Sequence, residues 1–139
     1  MTYKGRNVLL ALRDEKGRVL LQHRTDDAKW YPNHWGFFGG GIEPGETPEE
    51  AVMREAKEEL GIELEELKLF RVYDFGEHDG VYQAFVFLAK LNHPVEQLRK
   101  QLMEGQGLGL FSQEELRELL LPENSRKALN DIFSQDRSL

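Results

Sequence analysis

The 139 residues contain no cysteine, which excludes a disulfide framework, a thiol nucleophile and thiolate-held zinc. Histidine is scarce, and His23, His34, His78 and His93 stand too far apart for a short zinc motif. Any metal should therefore be held by oxygen. No run approaches the roughly 18 apolar residues that a bilayer span needs. The first residues, MTYKGRNVLLALRDEKG, reach charge too early for a signal peptide. The expectation is a cytoplasmic protein with no membrane partner. Basic clusters are missing too, and an isoelectric point near 5.2 lacks the cationic footprint that polymeric nucleic acid requires. A phosphate ligand bridged by metal stays open.

Hydrophobic residues at 40% and eight Phe are enough to fill one core, so residues 1–139 are expected to form a single domain. The net charge of −7 is concentrated in one place. Residues 46–66 hold nine Glu against Arg54 and Lys57, while the rest of the chain balances 16 acidic against 16 basic residues.

Apolar runs NVLLALR and RVLLQHR flank the polar turn DEKG and predict a hairpin. TDDAKWYPNHWG reads as a loop carrying Trp30, Tyr31 and Trp35. Phe37 and Phe38 then lead into Gly39, Gly40 and Gly41, a strand whose backbone must be approached closely. Thr47, Pro48 and Glu50 supply the cap, first turn and capping box of a helix running to about Leu60, with Gly61 closing it. LKLFRVYDF and VYQAFVFLAKL, separated by GEHDG, predict a second hairpin. A short strand is expected in GLGLFS. SQEELRELLL and PENSRKALNDIF predict two C-terminal helices divided by Pro122. This order implies an α/β fold with a mixed sheet between helices.

On the central helix, with Val52 set at 0°, Ala56, Leu60 and Met53 fall at about 40°, 80° and 100°, forming the expected buried stripe. Glu59, Glu55 and Glu58 fall at about −20°, −60° and −120°, beside that stripe rather than opposite it. Neighbouring carboxylates about 6 Å apart repel by roughly 3 kcal/mol each at an effective dielectric near 20. A divalent cation would reverse that sign, and hard oxygen ligands favour Mg²⁺ or Mn²⁺. The alternative is a solvated Glu-rich surface helix held by pairs with Arg54 and Lys57.

The surrounding residues separate these readings. From Gly40 to Ile62 the sequence GGIEPGETPEEAVMREAKEELGI has Gly40, Glu46, Arg54, Glu55, Glu58, Glu59 and Gly61 at the spacing of the Nudix box. The chain therefore resembles the Nudix hydrolases. It departs at Ala56, where the family usually has a bulkier aliphatic residue, and at Phe38, where many relatives have proline. MEGQGLGLFSQEEL is similar to a segment of the MutT-like branch in which a glutamate, here Glu104, reaches the metal cluster.

The resemblance implies an α/β/α sandwich and Mg²⁺-dependent hydrolysis, with Mn²⁺ as a substitute. The substrate would be a nucleoside diphosphate linked to another group. A nucleoside triphosphate, including an oxidised one, cleaved to the monophosphate and pyrophosphate is the leading case. Metal ligands would be Glu55, Glu58, Glu59, Glu104 and the Gly39 carbonyl. Arg54 would orient a neighbouring carboxylate, and Glu55 and Glu104 compete as general base. Arg24 falls where relatives contact phosphate, and Asn124 near a base-reading position. By its place after Pro122, however, Asn124 also suits a helix N-cap. Phe37, Trp35 and Trp30 could stack on a base or fill the core. His34 and His78 show no partner pattern and read as solvent-facing or structural. A nucleotide sugar, a dinucleoside polyphosphate and a non-catalytic nucleotide-binding regulator are the alternatives, the last disfavoured by the retained glutamates. Partners are expected to be small nucleotides, with the oligomeric state open, a homodimer included.

Overall fold

A computed structural model describes residues 2–137. The first strand, β1 (Gly5–Arg13), runs through the middle of the sheet, and the DEKG turn returns the chain as β2 (Val19–His23). After the aromatic loop come β3 (Trp35–Gly36) and β4 (Phe38–Gly41), then α1 (Pro48–Leu60). The second hairpin is β5 (Glu65–Glu77) and β6 (Gly80–Lys90), followed by α2 (Val95–Gln101), β7 (Gly107–Phe111), α3 (Gln113–Leu116) and α4 (Glu123–Arg137). The sheet is mixed: β6 lies parallel to β1, and β4 and β2 lie antiparallel to it.

Alternation along the central strands builds two cores. Val8, Leu10 and Leu12 of β1 and Phe87 of β6 face one side, where Val52, Ala56 and Leu60 of α1 and Leu98 of α2 cover them. Ala11 of β1 and Ala84 and Val86 of β6 face the other, under Ala128, Leu129, Ile132 and Phe133 of α4. The result is the expected sandwich of helices on both faces of a mixed sheet. Among the described residues no helix is long and apolar enough to cross a membrane.

The α1 start follows its sequence signal: Glu50 N–H donates to Thr47 Oγ1 at 3.1 Å and Thr47 N–H to Glu50 Oε1 at 2.9 Å. Its buried stripe does not follow the prediction at Met53, which is 47% exposed. Ala51 and Glu59 are buried instead, so the face against the sheet is rotated toward the glutamates and Met53 lies beyond its far edge. Two other differences have local causes. Helix α2 begins behind Pro94 without any side-chain cap, so it carries no start signal of the kind that marks α1. Helix α3 is much shorter than SQEELRELLL suggested, because the Leu120 carbonyl accepts from Trp35 N–H of β3 at 2.8 Å and Arg126 binds the carbonyls of Leu116 and Leu119.

Gly39 is the tightest point of the sheet. Its φ is 147°, and a Cβ there would lie 2.0 Å from the Val8 carbonyl oxygen of β1. Gly39→Ala is therefore expected to destabilise the fold by about 3 kcal/mol or more. A drop of roughly 10 °C in Tm by circular dichroism is the predicted readout, and an unchanged Tm would contradict this packing.

Candidate active site

Strand β4 brings Gly39 and Gly40 over the carboxylate side of α1. A Cβ on Gly40 would lie 2.4 Å from Glu55 Oε1, so the glycine makes the space that the Glu55 carboxylate occupies. Glu59 is only 2% exposed. Its Oε2 receives the Gly39 N–H at a long 3.4 Å, and its Oε1 is buried with no hydrogen-bond partner. Burial, then contact with the carboxyls of Glu55 and Glu104, pushes the Glu59 carboxyl well above its ordinary value. Carboxylates only accept, so three facing one another are satisfied by a shared proton or by a cation.

Glu104 arrives on a loop wedged between β2 and α1. Met103 N–H donates to the Glu59 carbonyl at 3.0 Å, and Gln106 N–H to the His23 carbonyl at 2.8 Å. Between them Gly105, at φ 78°, sits where a Cβ would come 2.8 Å from the His23 oxygen. The Gln106 side chain donates to the Arg24 carbonyl and to Asn33 Oδ1. This accounts for the EGQ run: glycine permits the approach and glutamine fastens the loop that presents Glu104.

Arg54 spans the acidic surface. It grips Glu46 through two bonds of 2.8 and 3.0 Å, reaches Glu55 Oε1 at 3.0 Å and Glu58 Oε2 at 3.2 Å, and donates to the Gly41 carbonyl. The pair with Glu46 raises the Arg54 pKa further and lowers that of Glu46. Glu55 and Glu58 thus each give an oxygen to Arg54. Among the described residues no three His, Asp or Glu side chains are gathered tightly enough to hold an ion as they stand. The donor set still fits a hard divalent cation: all oxygen, one atom of it buried and unpartnered, beneath a glycine strand that leaves room.

The substrate-side candidates separate. Arg24, its Nε on the Trp30 carbonyl at 2.8 Å, borders three adjoining cavities, one of which reaches Glu104 and another Gly40. Phe37 is packed in the α4-side core and also forms part of the wall of a cavity of about 210 Å³. Trp35 stacks on His23 at 4.4 Å and meets Phe111 edge-on, so its ring is engaged internally. Asn124 is not an N-cap. It lies inside the first turn of α4, where Arg126 N–H bonds the Pro122 carbonyl, and its side chain crosses to the Gly76 carbonyl and to Glu77 Oε2, both at 3.0 Å. His34 and His78 do have partners, the Pro32 carbonyl and the Trp30 ring. Residues that sequence reasoning missed are Asn7, Tyr31, Glu77 and Tyr82, which line the same cavity. They come from β1, the aromatic loop, the end of β5 and β6, so no spacing rule joins them.

Fold and site together define a class: a helix–sheet–helix domain that sets a glutamate-rich helix under paired glycines at the head of a cleft. The chain belongs to the NUDIX domain family, whose pattern matches residues 3–132. It is 44% identical over 61 residues to the nucleoside triphosphatase NudI of Escherichia coli O1:K1 / APEC, a stretch covering 44% of this chain and 43% of that protein. The aligned part thus spans less than half of that relative. The MutT protein from Methanosarcina mazei Go1 superposes with a TM-score of 0.81 over 95% of this chain and 94% of its own, at 24% identity. A MutT NUDIX hydrolase from Burkholderia pseudomallei superposes with a TM-score of 0.74 at 28% identity, covering 91% of this chain and 95% of its own.

The raised Glu59 pKa carries a stability consequence. Because it lies above the ordinary 4.5, folded cation-free protein keeps a proton that the unfolded chain releases. Stability is full below 4.5 and falls as pH rises above it, by at most about 1.4 kcal/mol per pH unit from this group. In EDTA, urea unfolding between about pH 5.5 and 8 should show a steeper decline for the native sequence than for Glu59→Gln. Parallel curves would contradict the burial of an unsatisfied carboxyl.

Proposed function

We propose that this domain is a Mg²⁺-dependent pyrophosphohydrolase, with Mn²⁺ as a substitute, that cleaves a nucleoside triphosphate to the monophosphate and pyrophosphate. The observation that carries this reading is the Glu59 carboxyl, buried against Glu55 and Glu104 with one oxygen unpartnered. A protein has little reason to bury one carboxyl against two others unless a cation joins them. The curated relative's name, nucleoside triphosphatase, supports the same reaction class over the aligned stretch.

Glu55, Glu58, Glu59 and Glu104, with the Gly39 carbonyl, would hold the cation. Bound there, it supplies Lewis acidity toward phosphoryl oxygens and lowers the pKa of water. The chain's own residues supply the rest. Arg54 positions Glu55 and Glu58 through its hydrogen bonds to both. Glu55, close under Gly40, and Glu104, on its fastened loop, are the carboxylates placed to accept a proton from the attacking water. Arg24, at the junction of the cavities, neutralises substrate phosphate. The cavity between β1, β6 and the start of α4 receives the nucleoside.

Glu58 has a side chain 58% exposed, so its replacement should spare the fold. Glu58→Gln is expected to lower Mg²⁺-dependent pyrophosphate release from nucleoside triphosphates by about 100-fold or more while leaving the unfolding curve in place. Full turnover in this variant would refute the assigned ligand set. Release of orthophosphate or a nucleotide from other phosphoanhydrides, with none from triphosphates, would move the substrate to those compounds.

A further inference from the structure

Beside Arg24 and its apolar walls, the nucleoside end of the cleft gathers hydrogen-bond acceptors around Glu77. Glu77 stands there with each carboxylate oxygen held by one donor: the Tyr31 hydroxyl on Oε1 and Asn124 Nδ2 on Oε2. A carboxylate offers about four lone-pair positions, so each oxygen keeps capacity for another donor. Asn124 spends its amide hydrogens on Glu77 and the Gly76 carbonyl, which leaves its Oδ1 as an acceptor. Asn7 Oδ1, on the same cavity, is buried and has no partner. The walls are aromatic. Trp30 stacks on His78 with centroids 4.2 Å apart and meets Tyr82 edge-on at 6.5 Å, while the Tyr82 hydroxyl is tied to Asp79. The cavity is continuous in its lining with Gly40, and so with the glutamate helix.

The acceptors gathered around Glu77 reject a carbonyl oxygen placed against them, since an acceptor facing acceptors goes unpaired. A flat ring bearing an exocyclic amino group fits: the aromatic side chains flank its faces and the carboxylate takes the amino edge, where uracil and hypoxanthine offer one ring N–H beside a carbonyl oxygen. We propose that Glu77 is a specificity-determining residue, selecting nucleobases that carry an exocyclic amino group (guanine, adenine, cytosine) over oxo counterparts that lack it (hypoxanthine, uracil). This rests on the nucleotide reading of the site given above. Tyr31, held at a positive φ of 49°, and Asn124 fix the carboxylate's orientation from the loop and from α4.

The same bonds could serve only to fasten the aromatic loop to the β5–β6 turn, and the test separates the two roles. Binding of paired monophosphates (GMP against IMP, AMP against IMP, CMP against UMP) is measured by calorimetry on the full chain with Mg²⁺, beside turnover of the matching triphosphates. The native protein should bind the amino member of each pair about tenfold or more tightly. Glu77→Gln should collapse that ratio by weakening the amino member and leaving the oxo member unchanged. Equal affinities in the native protein overturn the proposal, and so does a variant that weakens both members alike, which marks a merely fastening role. If the variant fails to fold, the native ratios decide alone. Discrimination without turnover would support the selecting role and refute the hydrolase reading, whereas turnover without discrimination would do the reverse.

Discussion

The constraint on which the site depends is the burial of one carboxyl among others. Glu59 occupies a place on α1 that packing would give to an aliphatic residue, beside Val52 on the face turned to the sheet. Desolvation alone disfavours its ionised form, and Glu55 and Glu104 add like charge. The fold tolerates this because α1 is anchored elsewhere, by a complete capping box at its start and by Val52, Ala56 and Leu60 in the core. Stability taken from apolar burial is thus used to hold a polar group where it is not satisfied by the chain alone.

The surroundings are fitted to that one group. Strand β4 reaches it only because Gly39 and Gly40 have no side chains, one against the Val8 backbone and the other against the Glu55 carboxylate. The Glu104 loop reaches it because Gly105 can pass the His23 carbonyl. Arg54 balances the more exposed carboxylates, Glu46, Glu55 and Glu58, without touching the buried one. The chain thus divides its acidic residues into a set neutralised by arginine and an inner carboxyl left for another charge. The cleft leads away from that point past Arg24 toward the acceptor-lined end at Glu77.

Much of this was legible in the sequence, for reasons that are local. The capping box, the closing Gly61, the two hairpins and the glycine strand each depend on residues within a few positions of one another. The spacing of the Nudix box likewise reports one strand, one turn and one helix. What was not legible depends on contacts between distant segments. Met53 is exposed because the sheet meets α1 nearer Glu59 than the helical wheel alone suggested. Helix α3 stops early because Leu120 is drawn to Trp35 of β3. Asn124 looked like a cap from its place after Pro122, yet its amide serves Gly76 and Glu77, some 48 positions away in sequence. Glu77 carries no motif at all; only the folding of β5 against α4 and the aromatic loop brings it to the cleft.

The most direct test of the central claim is the proton balance of cation binding. Mg²⁺ is titrated into metal-free protein near neutral pH by calorimetry in buffers of different ionisation enthalpy. Displacement of the proton held at the Glu59 cluster predicts saturable binding with release of up to one proton per ion, and loss of that release in Glu59→Gln. Saturable binding with no proton released, or no binding at all, would contradict the account.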